Sequence, residues 1–416
     1  MKVLWILNSP IGTAASVLGY PGAASGTWIR ATEEKLKAKM PELRIDYAVL
    51  GYRDRTVVSE DGTCTVYEVA VPQCRGKRRP ASDIAKWKAV IDADKPDRIH
   101  IWGTEFTNGL DVMDACGDIP VAVTIQGVIA SIAKYVRSDI PFKELMRGHA
   151  LVALPAYIRA RQRERNMINQ VPFEGEMIRR AQVVCTDNDW CKAFCRFYSH
   201  NVSIKHLPLC IGKVFYKKQW DAAAMEEGKI FTTAPSTPMK GAHQVIRALS
   251  VVVKQFPKAK LFIPGDLNPG RRALITEPPY FRYLRRLIRD LGLENNVVFC
   301  GKLSPEQMAE HMATANVFVM PSRAENQSAT LRETMHVGCP CVSSMVGCVH
   351  EFAVHNENSL LYRYEEYEVL AAQIIRLLSD KFFAAEMGRK GQETIMRAYP
   401  AEEFTEIIRW YSEKRQ

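Results

Sequence analysis

Residues 321–344 read PSRAENQSATLRETMHVGCPCVSS and hold two glutamates, Glu325 and Glu333, with seven residues between them. Two carboxylates at this spacing can act as an acid–base pair, or as two grips on one hydroxyl-rich ligand. The run before them, NVFVMP at 316–321, has the length and composition of a buried strand, so Ser322 to Ser328 fall in the loop at its carboxyl end. ATLRETMHVG then has a helical pattern, stopped by Gly338 and Pro340. A helix opening at Ser328, Ala329, Thr330 and Leu331 offers free backbone N–H groups and the positive end of its dipole, a ready seat for phosphate. Glu333, one turn inside, is placed to accept hydrogen bonds from ribose hydroxyls. Glu325, ahead of the helix, reaches hydroxyls of a group attached beyond the phosphates. A nucleotide-sugar carries its parts in that order. The local alternative is structural: Thr330, Leu331, Arg332 and Glu333 spell a capping box, and Glu325 is a solvated loop charge.

Other candidates also follow apolar runs. Lys240 comes after KIFTTA (229–234) and just before a helix-opening glycine; a lysine there can neutralise a diphosphate as a point charge, or simply be exposed. Gly265 ends AKLFIPG (259–265). In the first half, GAASGT (22–27) makes a glycine-rich turn that includes Ser25, Gly26 and Thr27, while Glu105 and Gln126 follow the runs at 98–102 and 121–125. Asp187 and Asp189 form an Asp-x-Asp pattern after QVVCT, which could hold a divalent cation; Thr186 or Asp187 equally suits a helix N-cap. Cys185, Cys191, Cys195, His200 and His206 lack the short paired spacings of zinc sites, so no metal site is expected.

These residues need elements to position them. Candidate strands lie at 3–7, 45–50, 65–71, 98–102, 121–125, 182–186 and 202–207, and a second series at 229–234, 259–265, 296–301, 316–321, 340–344 and 359–363. Helical segments such as 27–40, 242–256 and 304–315 alternate with them. Alternation of this kind argues for parallel sheets covered on both faces, hence two doubly wound, Rossmann-like α/β domains in tandem. The expected boundaries are an N-terminal domain over 1–207, a linker over 208–228, a C-terminal domain over 229–395, and a C-terminal helix in 396–416 that returns to the N-terminal domain. Ligands of such sheets bind outside the carboxyl ends of the strands, where the candidates cluster.

The chain of 416 residues is 47% hydrophobic and 25% charged, an ordinary globular composition, with a formal net charge of +10. That excess suits an anionic partner. The basic residues are scattered, with local concentrations in 143–165 and 271–290; the first mixes Leu151, Val152, Leu154, Tyr157 and Ile158 with Arg159, Arg161, Arg163 and Arg165, a pattern that suits either an anionic lipid surface or an ordinary core-packed helix. No basic–aromatic recognition motif points to nucleic acid. Eleven cysteines without a CxxC favour a reducing compartment. The apolar run after Lys2 is too short for a signal sequence, and no stretch has the length of a membrane span. A cytoplasmic protein is expected, with contact at the inner face of a membrane through 143–165.

PSRAENQSATLRETMHVGCPCVSSMVGCVHE resembles the C-terminal signature of retaining GT-B glycosyltransferases of family 4, of the bacterial polysaccharide type. PMKGAHQVIRAL, AKLFIPG, FCGKLSPEQMAEHMATANVFVMPS, GAASGTWIR, IHIWGTEF and VTIQGV fit further family segments in order. The resemblance implies two domains facing a central cleft, and transfer of a sugar from a nucleoside diphosphate donor to a hydroxyl of a glycan or lipid-linked glycan in surface polysaccharide biosynthesis. It implies retention of configuration and no metal or other cofactor. It implies catalytic roles for Lys240 and Glu325, and donor contacts from Glu333, Asn326, Ser328, Ala329, Thr330, Leu331, Gly265, Ser25, Gly26 and Thr27. Glu105 and Gln126 fall on the acceptor side, and the leaving phosphate takes the acceptor's proton. The chain departs from the family pattern at Pro235, where arginine is usual, at Asn326, Gln327 and Ser328, where Gly-Phe-Gly is common, at Gln126, where a histidine is frequent, and at His336, where a small residue is usual. Arg271 or Arg272 is a candidate replacement for the arginine. These departures leave open a catalytically inactive nucleotide-sugar-binding protein of the same fold.

Overall fold

A computed structural model describes residues 1–20, 27–147, 154–233, 235–267, 278–399 and 404–413. The chain divides into two compact units. The first contains an eight-stranded sheet in the order β3-β4-β2-β1-β5-β6-β7-β8. Its strands are β1 (Lys2–Leu7), β2 (Arg44–Leu50), β3 (Arg55–Val58), β4 (Thr65–Val69), β5 (Arg98–Trp102), β6 (Val121–Thr124), β7 (Val183–Thr186) and β8 (Ile204–His206). All neighbours pair in parallel except β3 with β4. The central strands are apolar on both faces because helices cover both: β5 and β6 are buried along their whole length. The edge strand β3 instead alternates between half-buried and exposed positions, and it has no counterpart among the expected strands.

The second unit holds a six-stranded, all-parallel sheet in the order β11-β10-β9-β12-β13-β14. The strands are β9 (Lys229–Thr232), β10 (Lys260–Ile263), β11 (Val297–Phe299), β12 (Val317–Met320), β13 (Cys341–Ser344) and β14 (Leu360–Tyr362). One core joins β9, β10, β12 and β13 to the helices Ala242–Gln255, Pro279–Asp290 and Tyr367–Ser379 through Ile230, Leu261, Val319, Val342, Leu249, Leu284 and Ile374. The helix Pro305–Thr314 is fixed by a complete capping box between Ser304 and Gln307.

The unit boundaries differ from the expected ones. The first unit is not the continuous stretch 1–207: residues 134–165 group with the second unit. The reason is a polar network around His243, a fully buried residue in the first turn of the helix Ala242–Gln255. Asp139 accepts from Gln244 at 2.9 Å and from Arg247 at 3.2 Å, and pairs with His243 Nε2 at 2.7 Å. Tyr364 and Tyr280 complete the shell around the imidazole. The expected linker at 208–228 also joins the second unit from Gly212 onward. Its short helix Lys213–Lys217 is followed by Trp220, whose amide donates to Val337 O at 2.7 Å and whose indole donates to Ala315 O at 2.6 Å. His336 packs in the same place, against the Tyr216 ring at 4.6 Å, which accounts for a large residue there.

The C-terminal helix Thr405–Ser412 belongs to the first unit. Arg98 donates to Trp410 O at 2.9 Å, and the Tyr411 hydroxyl lies 2.5 Å from His100 Nδ1. Burial pushes the His100 imidazole down to about 3, so it is neutral. No helix among the described residues is long and apolar enough to cross a membrane.

Candidate active site

In the second sheet the chain runs outward from β9 to β10 and β11, then returns to the other side of β9 with β12, β13 and β14. The order therefore reverses between β9 and β12. A crevice outside the strand ends at such a reversal is where ligands of open α/β sheets bind. Lys240 follows β9 and Glu325 follows β12. Although 85 residues apart in sequence, their side chains meet: Lys240 Nζ lies 2.6 Å from Glu325 Oε1. The pair is half-buried, so it is neither a bulk-solvent contact nor a sealed core bridge.

Two glycines make this approach possible. Gly241 sits at φ 73°, and a Cβ on it would run into the Pro321 carbonyl. Gly347 sits at φ 55°, and a Cβ there would run into the Glu325 carbonyl. Left-handed backbone and close backbone approach both select glycine. The Lys240 turn, the β12 end and the loop after β13 thus stack backbone on backbone. The Arg323 amide closes the same junction by donating to Met239 O at 2.7 Å. Arg323 itself pairs with Glu365 at 2.5 Å and lies over the Tyr135 and Tyr364 rings.

The helix after this loop is Ala329–Val337, with Ser328 as N-cap and Gly338 as C-cap. No side chain caps its start. The backbone amides of Ala329, Thr330 and Leu331 are therefore the free donors of the first turn, while the Leu331 side chain is buried in the core. This start removes the capping-box reading: with Ser328 at the cap, Glu333 is the fifth helical residue, two positions beyond the N3 site of a capping box. Ser328 itself adopts φ 48°, ψ 47°. A left-handed conformation at this position explains why glycine is the common residue there.

Glu333 is half-buried and, among the described residues, takes no hydrogen bond and no ion pair. Burial alone pushes its carboxyl up to about 8. Asn326 is buried beside Glu325. Gly265 lies just past β10 at φ 98°, joined to Gly301 by two backbone hydrogen bonds. Pro235 is next to it, its Cδ 3.8 Å from where a Cβ on Gly265 would stand. In the second unit, then, Lys240, Glu325, the 329–331 amides and Glu333 share one region at the strand carboxyl ends. Ser25 and Gly26 lie outside the described residues, as do Arg271 and Arg272, and Thr27 opens the helix Thr27–Lys39.

In the first unit the order reverses between β1 and β5. Glu105 follows β5, and Gln126 lies in the loop after β6. Asn8, directly after β1, donates to Glu105 Oε2 at 3.3 Å and to Trp102 O at 3.2 Å. Sequence reasoning missed Asn8, although a polar residue at the end of the first strand was signal enough. Asp187 and Asp189 do not act as a pair: Asp187 accepts from the Asn188 side chain at 2.9 Å, and Asp189 bonds Lys192 at 2.8 Å. The N-cap of that helix is Asn188, accepting from the Cys191 amide at 2.8 Å, in place of the expected Thr186 or Asp187.

The residues that build the second site also carry a sequence match. Residues 217–394 match the family described as glycosyl transferases group 1. This region is similar to the group 1 glycosyl transferases. Among curated proteins, the chain is 27% identical over 164 residues to N-acetyl-alpha-D-glucosaminyl L-malate synthase of Bacillus anthracis, covering 39% of each. It is 27% identical over 165 residues to a GDP-mannose-dependent alpha-(1-6)-phosphatidylinositol monomannoside mannosyltransferase of Mycobacterium tuberculosis, covering 38% of this chain and 40% of that one. The chain thus spans about two fifths of the length of these curated relatives. Among solved structures, sucrose-phosphate synthase from Thermosynechococcus elongatus superposes with a TM-score of 0.68 at 18% identity, over 96% of this chain and 95% of that one. The two units have the GT-B fold.

Proposed function

We propose that this protein is a glycosyltransferase that moves a sugar from a nucleoside diphosphate sugar to a hydroxyl of a glycan or lipid-linked glycan, with retention and without a metal. The observation that carries the reading is the Lys240–Glu325 pair at the sheet reversal, beside an uncapped helix start. A departing diphosphate develops charge, and preorganised donors aimed at that charge lower the barrier. Lys240 and the amides of Ala329, Thr330 and Leu331 supply them. Ion pairing with Glu325 holds the ammonium in place until the diphosphate takes it over. Glu325, then released, accepts hydrogen bonds from the donor sugar. Glu333 anchors the ribose, whose two hydroxyls supply the partners that its carboxyl lacks. The leaving phosphate receives the acceptor's proton as its bond to the anomeric carbon breaks.

Retention is favoured by the relatives, whose names specify an alpha-glucosaminyl product and an alpha-(1-6) mannoside. The same names support a nucleotide-sugar donor and a lipid-linked acceptor. The helix Leu154–Arg180 adds a surface for such an acceptor: Leu154 and Ile158 are exposed beside Arg159, Arg163 and Arg165. Apolar and basic side chains on one helix suit an anionic membrane face.

The test is release of nucleoside diphosphate from UDP-, GDP- and ADP-sugars, with and without EDTA. Turnover that survives EDTA supports the reading. Loss of turnover in EDTA would contradict its metal-independent part. Tight binding of a nucleotide-sugar with no turnover across acceptors would favour the inactive binding protein, to which Pro235 and Gln126 point.

A further inference from the structure

Glu105 is the most unusual carboxylate of the first unit. It lies at the reversal between β1 and β5, outside the carboxyl ends of the strands. Three strand ends are built around it. Asn8, after β1, donates to Oε2 at 3.3 Å. Gly103, after β5, sits at φ 100°, and a Cβ on it would collide with Oε2. Gly127, after β6, turns its amide toward the carboxylate, and a Cβ there would stand 3.7 Å from Oε1. The loop is braced from behind: Arg75 donates to Glu105 O at 2.9 Å and lies 4.3 Å over the Phe106 ring. Gln170 donates to Thr104 O at 3.0 Å, and Thr104 donates to Glu174 at 3.1 Å.

This arrangement does not serve stability. No lysine or arginine forms an ion pair with the Glu105 side chain among the described residues. Burial pushes its carboxyl up to about 7, against the opposing pull of Arg75 and with a small addition from Glu174. A glutamine would keep the Asn8 contact region filled without that cost. Yet the residue as a whole is only half-buried. A desolvated carboxylate on a half-buried residue at a strand-end reversal is suited to receive donors from a ligand.

We propose that Glu105 is the acceptor-selecting residue, its carboxylate taking hydrogen bonds from neutral hydroxyls of a sugar or polyol and excluding an anionic group from that position. The inference rests on the transferase reading above and deepens it. Ionised Glu105 binds the hydroxyls and protonated Glu105 binds them less well. Acceptor affinity therefore rises as the pH passes through the carboxyl's value, and it is read at saturating donor so that titration of Glu333 does not enter.

The test is transfer from the active nucleotide-sugar to octyl glucoside and octyl mannoside, with their uronate counterparts as anionic controls, from pH 6 to 8. In the wild type the acceptor KM falls about tenfold across that range, given a carboxyl near 7. Glu105→Gln raises the acceptor KM about 10- to 100-fold at pH 8, flattens the pH profile, accepts the uronates better relative to the neutral glycosides, and leaves kcat and the donor KM within about twofold. A merely structural role would not move the acceptor pH profile. The wild-type profile stands as the test if the variant does not fold. The proposal is overturned by an unchanged acceptor KM in Glu105→Gln, by a pH slope that persists in it, or by donor hydrolysis with none of the neutral glycosides accepted. Absence of any nucleotide-sugar binding or turnover is a different failure: it removes the transferase reading and this inference with it.

Discussion

Replacing Glu333 by glutamine gives the sharpest prediction about the donor site. Burial raises this carboxyl from the ordinary 4.5 to about 8, with no opposing partner. After allowance for its partial exposure, that displacement holds about 3 to 5 kcal/mol against the charged form. At pH 7 only roughly a tenth of the free protein is ionised at this site. A bound ribose brings two hydroxyl donors, and hydrogen bonds to a charged acceptor contribute about 1.5 to 3 kcal/mol each. Their sum is comparable with the penalty, so donor binding should ionise Glu333. Binding at pH 7 then releases about 0.9 of a proton, and donor affinity rises about tenfold between pH 7 and 9 before levelling. Calorimetric titration of a nucleotide-sugar in buffers of different ionisation enthalpy measures that release directly. In Glu333→Gln the release and the affinity slope should both vanish. Folding supplies an independent check. The folded carboxyl holds its proton more tightly than the unfolded one, so its contribution is full below pH 4.5 and is lost as the pH rises through about 8. Glu333→Gln should therefore match the wild-type Tm near pH 5 and exceed it by several degrees near pH 9. Proton release that persists in the variant, or a wild type that releases none, would refute the assignment of Glu333 to ribose.

The remaining predictions concern the frame of the site. Ser328→Gly should relieve the left-handed N-cap and raise stability by about 0.5 to 1 kcal/mol in chemical denaturation, leaving the amides of the first turn in place. Gly241→Ala should destabilise the second unit by about 2 to 4 kcal/mol, because a Cβ meets the Pro321 carbonyl and the backbone is left-handed; donor turnover should fall with it, since Lys240 is the preceding residue. Asp139→Asn should loosen residues 134–147 from the helix Ala242–Gln255, seen as faster amide exchange over that segment, because the carboxylate is held far below its ordinary range by His243 and Arg247 and serves both.

Much of this fold is written in local pattern. The two-sided burial of central parallel strands leaves apolar runs, and thirteen of the fourteen strands, β3 excepted, coincide with expected strands. The exception, β3, is an exposed edge strand of four residues whose pattern resembles any polar loop. Chain continuity alone places residues 134–165 in the first domain. Asp139 within that stretch meets His243 and Tyr364, far away in sequence, and no local period encodes a contact of that kind. At the site, the strand-end rule placed Lys240, Glu325 and Glu105 correctly at carboxyl ends. It could not reveal that Lys240 and Glu325 touch, or that Asn8 stands against Glu105, because pairing across a sheet reversal depends on the strand order. The capping-box motif at Thr330 misled for a physical reason. The helix opens two residues earlier than that motif requires, at Ala329, after a serine in a backbone conformation that sequence pattern alone does not mark as helical or extended.

The central claim is that Lys240 stabilises a leaving diphosphate. Its direct test compares nucleoside diphosphate release by the wild type and Lys240→Ala, in EDTA and at saturating donor, with donor affinity measured in parallel. Loss of one preorganised charge at the leaving group predicts a fall in turnover of about 10²- to 10³-fold, with donor affinity changed by less than about tenfold. Equal turnover in the two proteins would contradict the account.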